Sequence, residues 1–472
     1  MGGLTLPHIA RPRGCRGAVD GRSAVRRQIG VADENVVRDR VRAMRIRTLL
    51  LAMSLAACGF PDPREEKPMT PDTNDPAYEV TEIGEWYVTS DAAQSQDELM
   101  TIFVAAPAGT DFIDVWIGDL GVQRLAEQPD GRFAVQTSIA ALPPGEHEVL
   151  LAANGSKTAF ARVPFKRSAP YYVLVTTDWD FADPGNQANR YQELLHQNHA
   201  ELVMTHFVGP YTFTDPAVTP ARRAELAAWV IAQRDTHGDE IGLHIHPYCN
   251  FVTSAGLTCI IDQSTVLNID DTGYTIKLGA YGRSGMVTLL EHAKTLFQQN
   301  GLGTPRTFRA GGWTATLDTV AALADTGFIA DTSALNWARI EEWDGEELYR
   351  WNMENWAPIN DTSQPYYPSQ NNVLAAEAPN LTILEVPDNG VMIDYVSLPE
   401  MNGLFDANFD GQPLLAPRTL MMGFHPATPG FSEAEYLRVD GFLKYSDMHL
   451  ASKRKGPVVY ITLEDVVAAF PK

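Results

Sequence analysis

The amino-acid sequence predicts an α/β protein in which a distorted (β/α) barrel of seven or eight strands follows a small all-β sandwich. From residue 171 onward, eight strand-like runs alternate with helix-like segments, an order typical of a parallel barrel. Before residue 168, short alternating runs such as RFAVQTSI are separated by turns such as PDGR and LPPGE, a pattern typical of an immunoglobulin-like sandwich. We therefore place the sandwich at residues 78–168 and the barrel at residues 169–472.

Residues 44–57, MRIRTLLLAMSLAA, have the pattern of a secretory signal peptide, with two arginines before a short apolar run. The small residues at its end resemble a bacterial lipobox, in which the following cysteine, here Cys58, carries a lipid anchor. The run is too short to span a bilayer by itself. On this interpretation Met44 is the true start, and residues 1–43 are a mis-assigned extension. An uncleaved anchor or a chance apolar run is the alternative.

The segment 58–77 is polar and rich in proline, so it cannot bury enough apolar area to fold, and we expect a disordered tether. The chain after residue 57 has 26 basic and 55 acidic residues, a net charge of −29. Such an acidic surface repels phosphate backbones, which argues against nucleic acid as a partner. We expect a lipoprotein of the cell envelope, on the periplasmic or the outer-membrane and extracellular side.

Four cysteines occur in the chain, of which Cys15 precedes the signal and Cys58 is the lipidation candidate. The other two, Cys249 and Cys259, lie in one loop. In an exported protein this pair is expected to form a disulfide, whereas two free thiols would be expected in the cytoplasm.

The predicted barrel strands are YYVLVTT, ELVMTHFV, EIGLHIH, RTFRAG, GFIADTS, LTILEVP, TLMMGFH and PVVYITL. Amphipathic segments such as PARRAELAAWVIAQRDTHG lie between several of them, which indicates helices that pack on the sheet. Two long irregular stretches, 247–282 and 334–380, interrupt this order. Long loops in compact domains are commonly functional.

Polar residues follow the strands at the end where a barrel places its active site. They are Asp178, Asp180, His206, His244, His246, Arg309, Asp331, Asp388 and His425. Two histidines and a carboxylate with an open position for water form a common catalytic zinc-type site. In an extended strand end, residues two apart share a face, so one set can bind a metal while the neighbouring aspartate stays free.

Five motifs in this order, TTDWD, GLHIHP, FRAGGW, DTSALNW and GFHP, resemble those of the polysaccharide deacetylases of the NodB-homology type, carbohydrate esterase family 4. The resemblance covers about residues 170 to 468. It implies a NodB-type barrel and metal-dependent removal of N-acetyl or O-acetyl groups from a glycan. Peptidoglycan, a chitin-like polymer or an exopolysaccharide would be the substrate.

The resemblance also implies roles for individual residues. Asp178 would be the general base, Arg309 would orient it, and His425 would be the general acid. A divalent metal, zinc or alternatively nickel, cobalt or iron, would bind to Asp180, His244 and His246. The substrate would contact Trp313, Trp337, Trp179 and Asp331.

The chain departs from the family pattern at two places. Trp179 separates two aspartates that are adjacent in the common form, and the two histidines are two residues apart instead of four. If His246 pointed away from the metal, His206 on the neighbouring strand would be the substitute ligand.

Two other functions remain open from the sequence. The same site would serve an amidohydrolase that cleaves a C–N bond in a compound other than a glycan. The unusual spacing and the sandwich would also fit a glycan-binding or surface-scaffold lipoprotein without catalytic activity.

Overall fold

The computed structural model describes residues 66–261, 271–340, 346–426 and 431–472. The predicted signal peptide, the candidate lipidation site Cys58 and the first part of the tether lie outside the described residues. Among the residues that are described, no helix has the length and apolar character needed to cross a membrane.

The first described region is an all-β unit of nine strands. They are β1 (Glu79–Thr81), β2 (Trp86–Val88), β3 (Leu99–Ala105), β4 (Ile113–Ile117), β5 (Val122–Arg124), β6 (Ala126–Glu127), β7 (Phe133–Ser138), β8 (Gly145–Ala153) and β9 (Ala161–Ser168). One sheet has the order β1-β3-β7-β6 and the other the order β2-β9-β8-β4-β5.

The two sheets of this unit share one core, because alternate residues along each strand point inward. Ile102 of β3, Val115 of β4 and Leu151 of β8 are fully buried in the same apolar cluster. An alternating strand with one buried face is the arrangement expected of packed antiparallel sheets. Whether the unit is immunoglobulin-like stays a prediction.

The second region contains eight parallel strands in one curled sheet. They are β10 (Tyr171–Asp178), β11 (Met204–Val208), β12 (Glu240–Ile245), β13 (Thr307–Ala310), β14 (Ala330–Asp331), β15 (Leu384–Glu385), β16 (Arg418–Phe424) and β17 (Val458–Tyr460). The order is β15-β14-β13-β12-β11-β10-β16, and β17 also pairs with β10. All eight residues of β10 are buried, as expected for a strand covered on both faces.

Helices alternate with these strands, as the sequence predicts, and the arrangement fits a (β/α) barrel. They are α1 (Asn186–Asn198), α2 (Pro220–His237), α3 (Cys249–Ser254), α4 (Gly282–Gln299), α5 (Leu317–Asp325), α6 (Glu347–Trp356), α7 (Leu398–Asn408), α8 (Glu433–Asp447) and α9 (Leu463–Val466). The chain after β15 connects the two ends of the sheet: Asp388 pairs with Leu335, and Met392 pairs with Gly423 of β16.

The pleat of the strands sorts their side chains into two layers. Tyr171, Val173 and Val175 of β10 belong to the large apolar cluster that includes the helices. Tyr172 and Leu174 belong to a separate cluster on the other face, inside the barrel. Because side chains alternate along a strand, Thr176 and Asp178 continue the interior face.

The two long loops contain helices that contact the strand ends. Helix α3 begins at Cys249, which forms a disulfide with Cys259. Helix α6 supports the turn after β13: the amide of Asn352 donates to the backbone oxygen of Gly312 at 2.9 Å. The indole of Trp356 donates to the backbone oxygen of Trp313 at the same distance.

A buried carboxyl group lies at the opposite end of the barrel from the polar strand ends. Glu240, the first residue of β12, accepts hydrogen bonds from the hydroxyls of Thr205 and Thr307 and from the backbone N–H of Glu464. Burial raises the pKa of Glu240 to about 7, although these hydrogen bonds lower it.

We predict that Glu240→Gln flattens the pH dependence of stability. Because the folded-state pKa is raised, the stability linked to Glu240 is fully present below pH ~4.5 and is lost as pH rises through about 7. The size of this shift corresponds to about 3 kcal/mol. Urea unfolding at pH 5 and pH 8 should show a smaller loss of unfolding free energy in the variant than in the unsubstituted protein. An equal loss in both proteins would contradict the prediction.

Candidate metal centre

The structure brings together Asp180, His244 and His246, the three residues that the sequence analysis names as candidate metal ligands. The Nε2 atom of His244 lies 3.1 Å from Oδ1 of Asp180, and Nε2 of His246 lies 3.3 Å from the same oxygen. Asp180 follows β10, and both histidines come from the end of β12. All three residues are buried. The spacing of two residues between His244 and His246 therefore places both side chains on the same face of the strand end.

Both histidines present the same nitrogen to Asp180, because their other nitrogen is already bonded. Nδ1 of His244 lies 3.0 Å from the backbone oxygen of Arg309, and Nδ1 of His246 lies 2.9 Å from that of Tyr274. A carbonyl oxygen only accepts, so each Nδ1 carries a proton and donates it. In a neutral imidazole the lone pair is then on Nε2, which faces Asp180.

With neutral imidazoles, the three facing atoms are all acceptors. Burial would raise the pKa of Asp180, but the charge of His425, whose Nε2 atom lies 3.9 Å from Oδ1, opposes this effect, and the pKa of Asp180 lies well below its usual value. A divalent cation would satisfy all three atoms, and a His-His-Asp set with Nδ1 bonded to backbone carbonyls suits zinc or a similar metal.

Tyr274 is a site residue that the sequence reasoning missed. Its hydroxyl donates to Oδ2 of Asp180 at 2.8 Å, and its ring stacks on that of His246 with the centroids 4.2 Å apart. Burial and the charge of Asp180 raise the pKa of Tyr274 well above 10, so the phenol is protonated. Tyr274 lies in a loop without periodicity, and no signal in the sequence marks it.

Asp178, the candidate base, is held by Arg309 in the interior of the barrel. Nη1 of Arg309 donates to Oδ1 of Asp178 at 2.9 Å and to the hydroxyl of Thr176 at 2.8 Å. Nη2 of the same guanidinium lies 3.3 Å from Asp388. Burial raises the pKa of Asp388 to about 6, which Arg309 counteracts. The structure thus gives Asp178 a fixed cationic partner.

His425, the candidate acid, follows β16 and is held by an aspartate that sequence reasoning also missed. Nδ1 of His425 lies 2.8 Å from Oδ2 of Asp394, and Nε2 lies 3.9 Å from Oδ1 of Asp180. Burial lowers the pKa of His425, but the carboxylates of Asp180, Asp394 and Asp178 raise it to about 10. His425 is therefore protonated at neutral pH and can donate a proton.

A narrow cavity opens onto these groups. Its volume available to water-sized molecules is about 80 Å³, enough for several waters or a small acyl group. Trp313, Leu348 and Tyr395 line it together with Asp178, Asp180, His244, His246, Tyr274 and His425. Trp313 is held at a φ of 54°, an uncommon backbone conformation for a residue other than glycine.

Three residues expected to contact substrate lie elsewhere. Trp179 is buried in the helix-side cluster, because the alternation that turns Asp178 and Asp180 inward turns Trp179 outward. Asp331 is fully buried, and its carboxylate accepts from the hydroxyl of Ser333. Trp337 is buried against Trp313, which alone among the three predicted tryptophans lines the cavity.

His206 is not placed to act as a substitute metal ligand. Its Nε2 atom lies 2.9 Å from Oδ2 of Asp239, and its Nδ1 atom lies 2.9 Å from the hydroxyl of Thr177. His206 pairs in register with Thr177, whose side chain points away from the interior. Both nitrogens are thus engaged on the helix side of the sheet, and His246 is the second histidine at the centre.

No family model matches the chain, and no curated protein matches it either. Solved structures that are similar include a candidate polysaccharide deacetylase from Mycobacterium smegmatis, at 14% identity and a TM-score of 0.37 over 63% of this chain and 89% of that one. A family 4 carbohydrate esterase from Streptomyces lividans in complex with acetate has 13% identity and a TM-score of 0.32, over 62% and 94% of the two chains. The chitin deacetylase from Colletotrichum lindemuthianum has 10% identity and a TM-score of 0.32, over 62% and 85%.

We predict that Gly311→Ala weakens metal binding by displacing His246. A Cβ atom at Gly311 would lie 2.6 Å from Cγ of His246, which is too close for either group to stay in place. The expected loss of zinc affinity is about 10-fold or more, as for other changes that disturb a ligand's support. Competition with a chelator on the metal-free protein measures it.

Gly403→Ala is the matched control, because a Cβ atom there meets no atom within 4 Å. Equal zinc affinity in the two variants would contradict the assignment of His246 as a ligand.

Proposed function

We propose that this chain is an exported, metal-dependent hydrolase that removes acetyl groups from a glycan. The observation that carries the proposal is the meeting of Oδ1 of Asp180 with the Nε2 atoms of His244 and His246, beside an aspartate paired with Arg309 and a histidine paired with Asp394. An aspartate that accepts a proton and a histidine that gives one are the two proton-transfer groups that hydrolysis of an amide or ester requires.

Asp180, His244 and His246 would hold the metal, with zinc, nickel, cobalt or iron as candidates. When bound, such an ion supplies Lewis acidity to the acyl carbonyl and lowers the pKa of water. The protein fixes the orientation of the two imidazoles. Their Nδ1 atoms are bonded to backbone oxygens, so both Nε2 atoms face the cavity.

Asp178 is the base that takes a proton from the attacking water. Nη1 of Arg309 donates to Oδ1 of Asp178 at 2.9 Å, which places a positive charge directly against this carboxyl group. His425 lies across the cavity and gives its Nε2 proton to the departing amine or alcohol. Asp394 holds the imidazole by Nδ1, which directs Nε2 toward the cavity.

The size and charge of the cavity favour a small acyl group on a larger uncharged or cationic molecule. The space for the centres of water-sized molecules is about 80 Å³, which suits a small group of a polymer whose remainder lies outside. The net charge of −29 after residue 57 disfavours polyanions. Chitin-like polymers and neutral exopolysaccharides meet both conditions, whereas peptidoglycan, whose stem peptides carry carboxylates, meets the condition of size.

The location of the enzyme is part of the proposal. The signal pattern before Cys58 would take the chain across a membrane and anchor it by a lipid. The tether and an immunoglobulin-like sandwich would then separate the barrel from the membrane, on the periplasmic or extracellular side.

The test is acetate release from chitin oligomers and peptidoglycan by residues 59–472 loaded with zinc or cobalt. We predict that Asp178→Asn and His425→Asn each keep stoichiometric metal and lower kcat by about 10² to 10⁴, the usual contribution of a general base or acid. His147→Asn, on β8 of the all-β unit, is the matched control and should keep full activity.

Each alternative function has its own outcome in this test. Bound metal with no acetate release from any glycan would move the substrate to a C–N bond in another class of compound. A chain that binds glycan but no metal would be a binding or scaffold protein, and the hydrolytic mechanism would be wrong.

A further inference from the structure

We propose that Tyr274 is a positioning residue that makes Asp180 a one-oxygen ligand and fixes His246 beside it. The inference rests on the proposed metal centre and concerns how the chain shapes it. Tyr274 contacts two of the three candidate ligands with three different groups: its hydroxyl, its ring and its backbone oxygen.

The two oxygens of Asp180 have separate partners. Oδ1 faces Nε2 of His244 at 3.1 Å and Nε2 of His246 at 3.3 Å. Oδ2 accepts the hydroxyl proton of Tyr274 at 2.8 Å. With Oδ2 engaged by a donor, only Oδ1 points at the position shared with the histidines, so the carboxylate binds through one oxygen.

A one-oxygen carboxylate leaves more coordination positions for reactants. Catalytic sites with three protein ligands depend on such open positions for water and substrate. Without the phenol, Oδ2 would be able to turn toward the metal and fill one of them. Tyr274 therefore keeps the centre open without being a ligand or touching the reacting atoms.

The imidazole of His246 is held between two surfaces. The ring of Tyr274 stacks on one side, and the backbone of Gly311 approaches so closely that a Cβ atom would lie 2.6 Å from Cγ of His246. The backbone oxygen of Tyr274 also accepts from Nδ1. These contacts fix both the plane of the ring and the direction of Nε2.

The disulfide loop places Tyr274 over the end of β12. The backbone N–H of Cys249 donates to the oxygen of Thr272 at 2.7 Å, so the start of α3 is tied to the residues just before Tyr274. Gly273 passes the loop closely, since a Cβ atom there would lie 2.4 Å from the oxygen of Pro247 and 3.3 Å from Sγ of Cys259. The cross-link at Cys249 and Cys259 therefore supports the position of Tyr274.

The first experiment compares Tyr274→Phe with Tyr281→Phe by Co²⁺ binding to the metal-free proteins. Tyr274→Phe keeps the stacked ring and the backbone oxygen, so the fold is preserved and only the bond to Oδ2 is lost. Tyr281 is a loop tyrosine whose hydroxyl contacts the backbone N–H of Ile260 instead of the site. Affinity is measured by chelator competition and coordination by the visible absorption of Co²⁺, which depends on coordination number.

We expect Tyr274→Phe to bind Co²⁺ about 10-fold to 100-fold more weakly, with an altered visible spectrum, and Tyr281→Phe to match the unsubstituted protein. A Tyr274→Phe protein with unchanged affinity and spectrum would overturn the inference and leave the metal centre standing. An unsubstituted protein that binds no Co²⁺ would instead overturn the proposed function.

A double-mutant cycle tests the role of the disulfide. We expect replacement of Cys249 and Cys259 by serine to lower Co²⁺ affinity in the unsubstituted protein by about 10-fold, and by less in the Tyr274→Phe background. Independent, additive losses would show that the cross-link does not act through Tyr274.

Discussion

The polar end of the barrel depends on the ion pairs made by the buried guanidinium of Arg309. The side chain of Arg309 is fully buried and pairs with Asp178 and Asp388. Its Cζ atom lies 4.9 Å from the ring centre of Phe207. Its backbone oxygen accepts from His244. One residue thus joins the candidate base to a candidate metal ligand. Removing one partner of a buried ion pair costs about 3–5 kcal/mol, because the remaining charge is left buried without compensation.

Several ionisable groups lie in the interior of the barrel, and the candidate catalytic and metal-binding groups among them have specific counterparts. Asp178 is matched by Arg309, and His425 by Asp394. Asp180 faces two imidazoles through one oxygen and a phenol through the other. Buried charges are tolerated when they are paired and hydrogen-bonded in this way. The geometry of the candidate metal centre therefore depends on these surrounding pairs as well as on the three candidate ligands.

The sequence could predict the residues whose position follows from strand geometry. Asp178, Asp180, His244 and His246 are spaced by two, and the period of a strand puts each pair on the interior face. The same rule turns Trp179 and His206 to the helix side of the sheet. Their residue types alone suggest a place in the site. Asp331 pairs in register with Phe308, whose side chain lies in the helix-side cluster. A prediction at these positions therefore requires the inward or outward direction of each residue along its strand as well as its place at the strand end.

Tyr274 and Asp394 could not be predicted, since neither lies on a periodic element. Tyr274 reaches Asp180 across 94 positions of sequence, and Asp394 reaches His425 across 31. Their placement depends on how irregular segments pack against the strand ends. The sequence pattern determines which side chains of a strand face the interior. The partners that orient these side chains lie in loops, and the positions of the loops depend on tertiary packing.

The disulfide between Cys249 and Cys259 has a consequence for the order in which the protein matures. A newly made chain with reduced thiols would already have its aspartate and histidines at the strand ends, but the segment 249–259, which contacts the residues just before Tyr274, would lack its cross-link. With the proposed role of Tyr274, an ion that arrived before oxidation would meet an aspartate and an imidazole that are not yet held in position. Thiol oxidation would then come first and metal loading second.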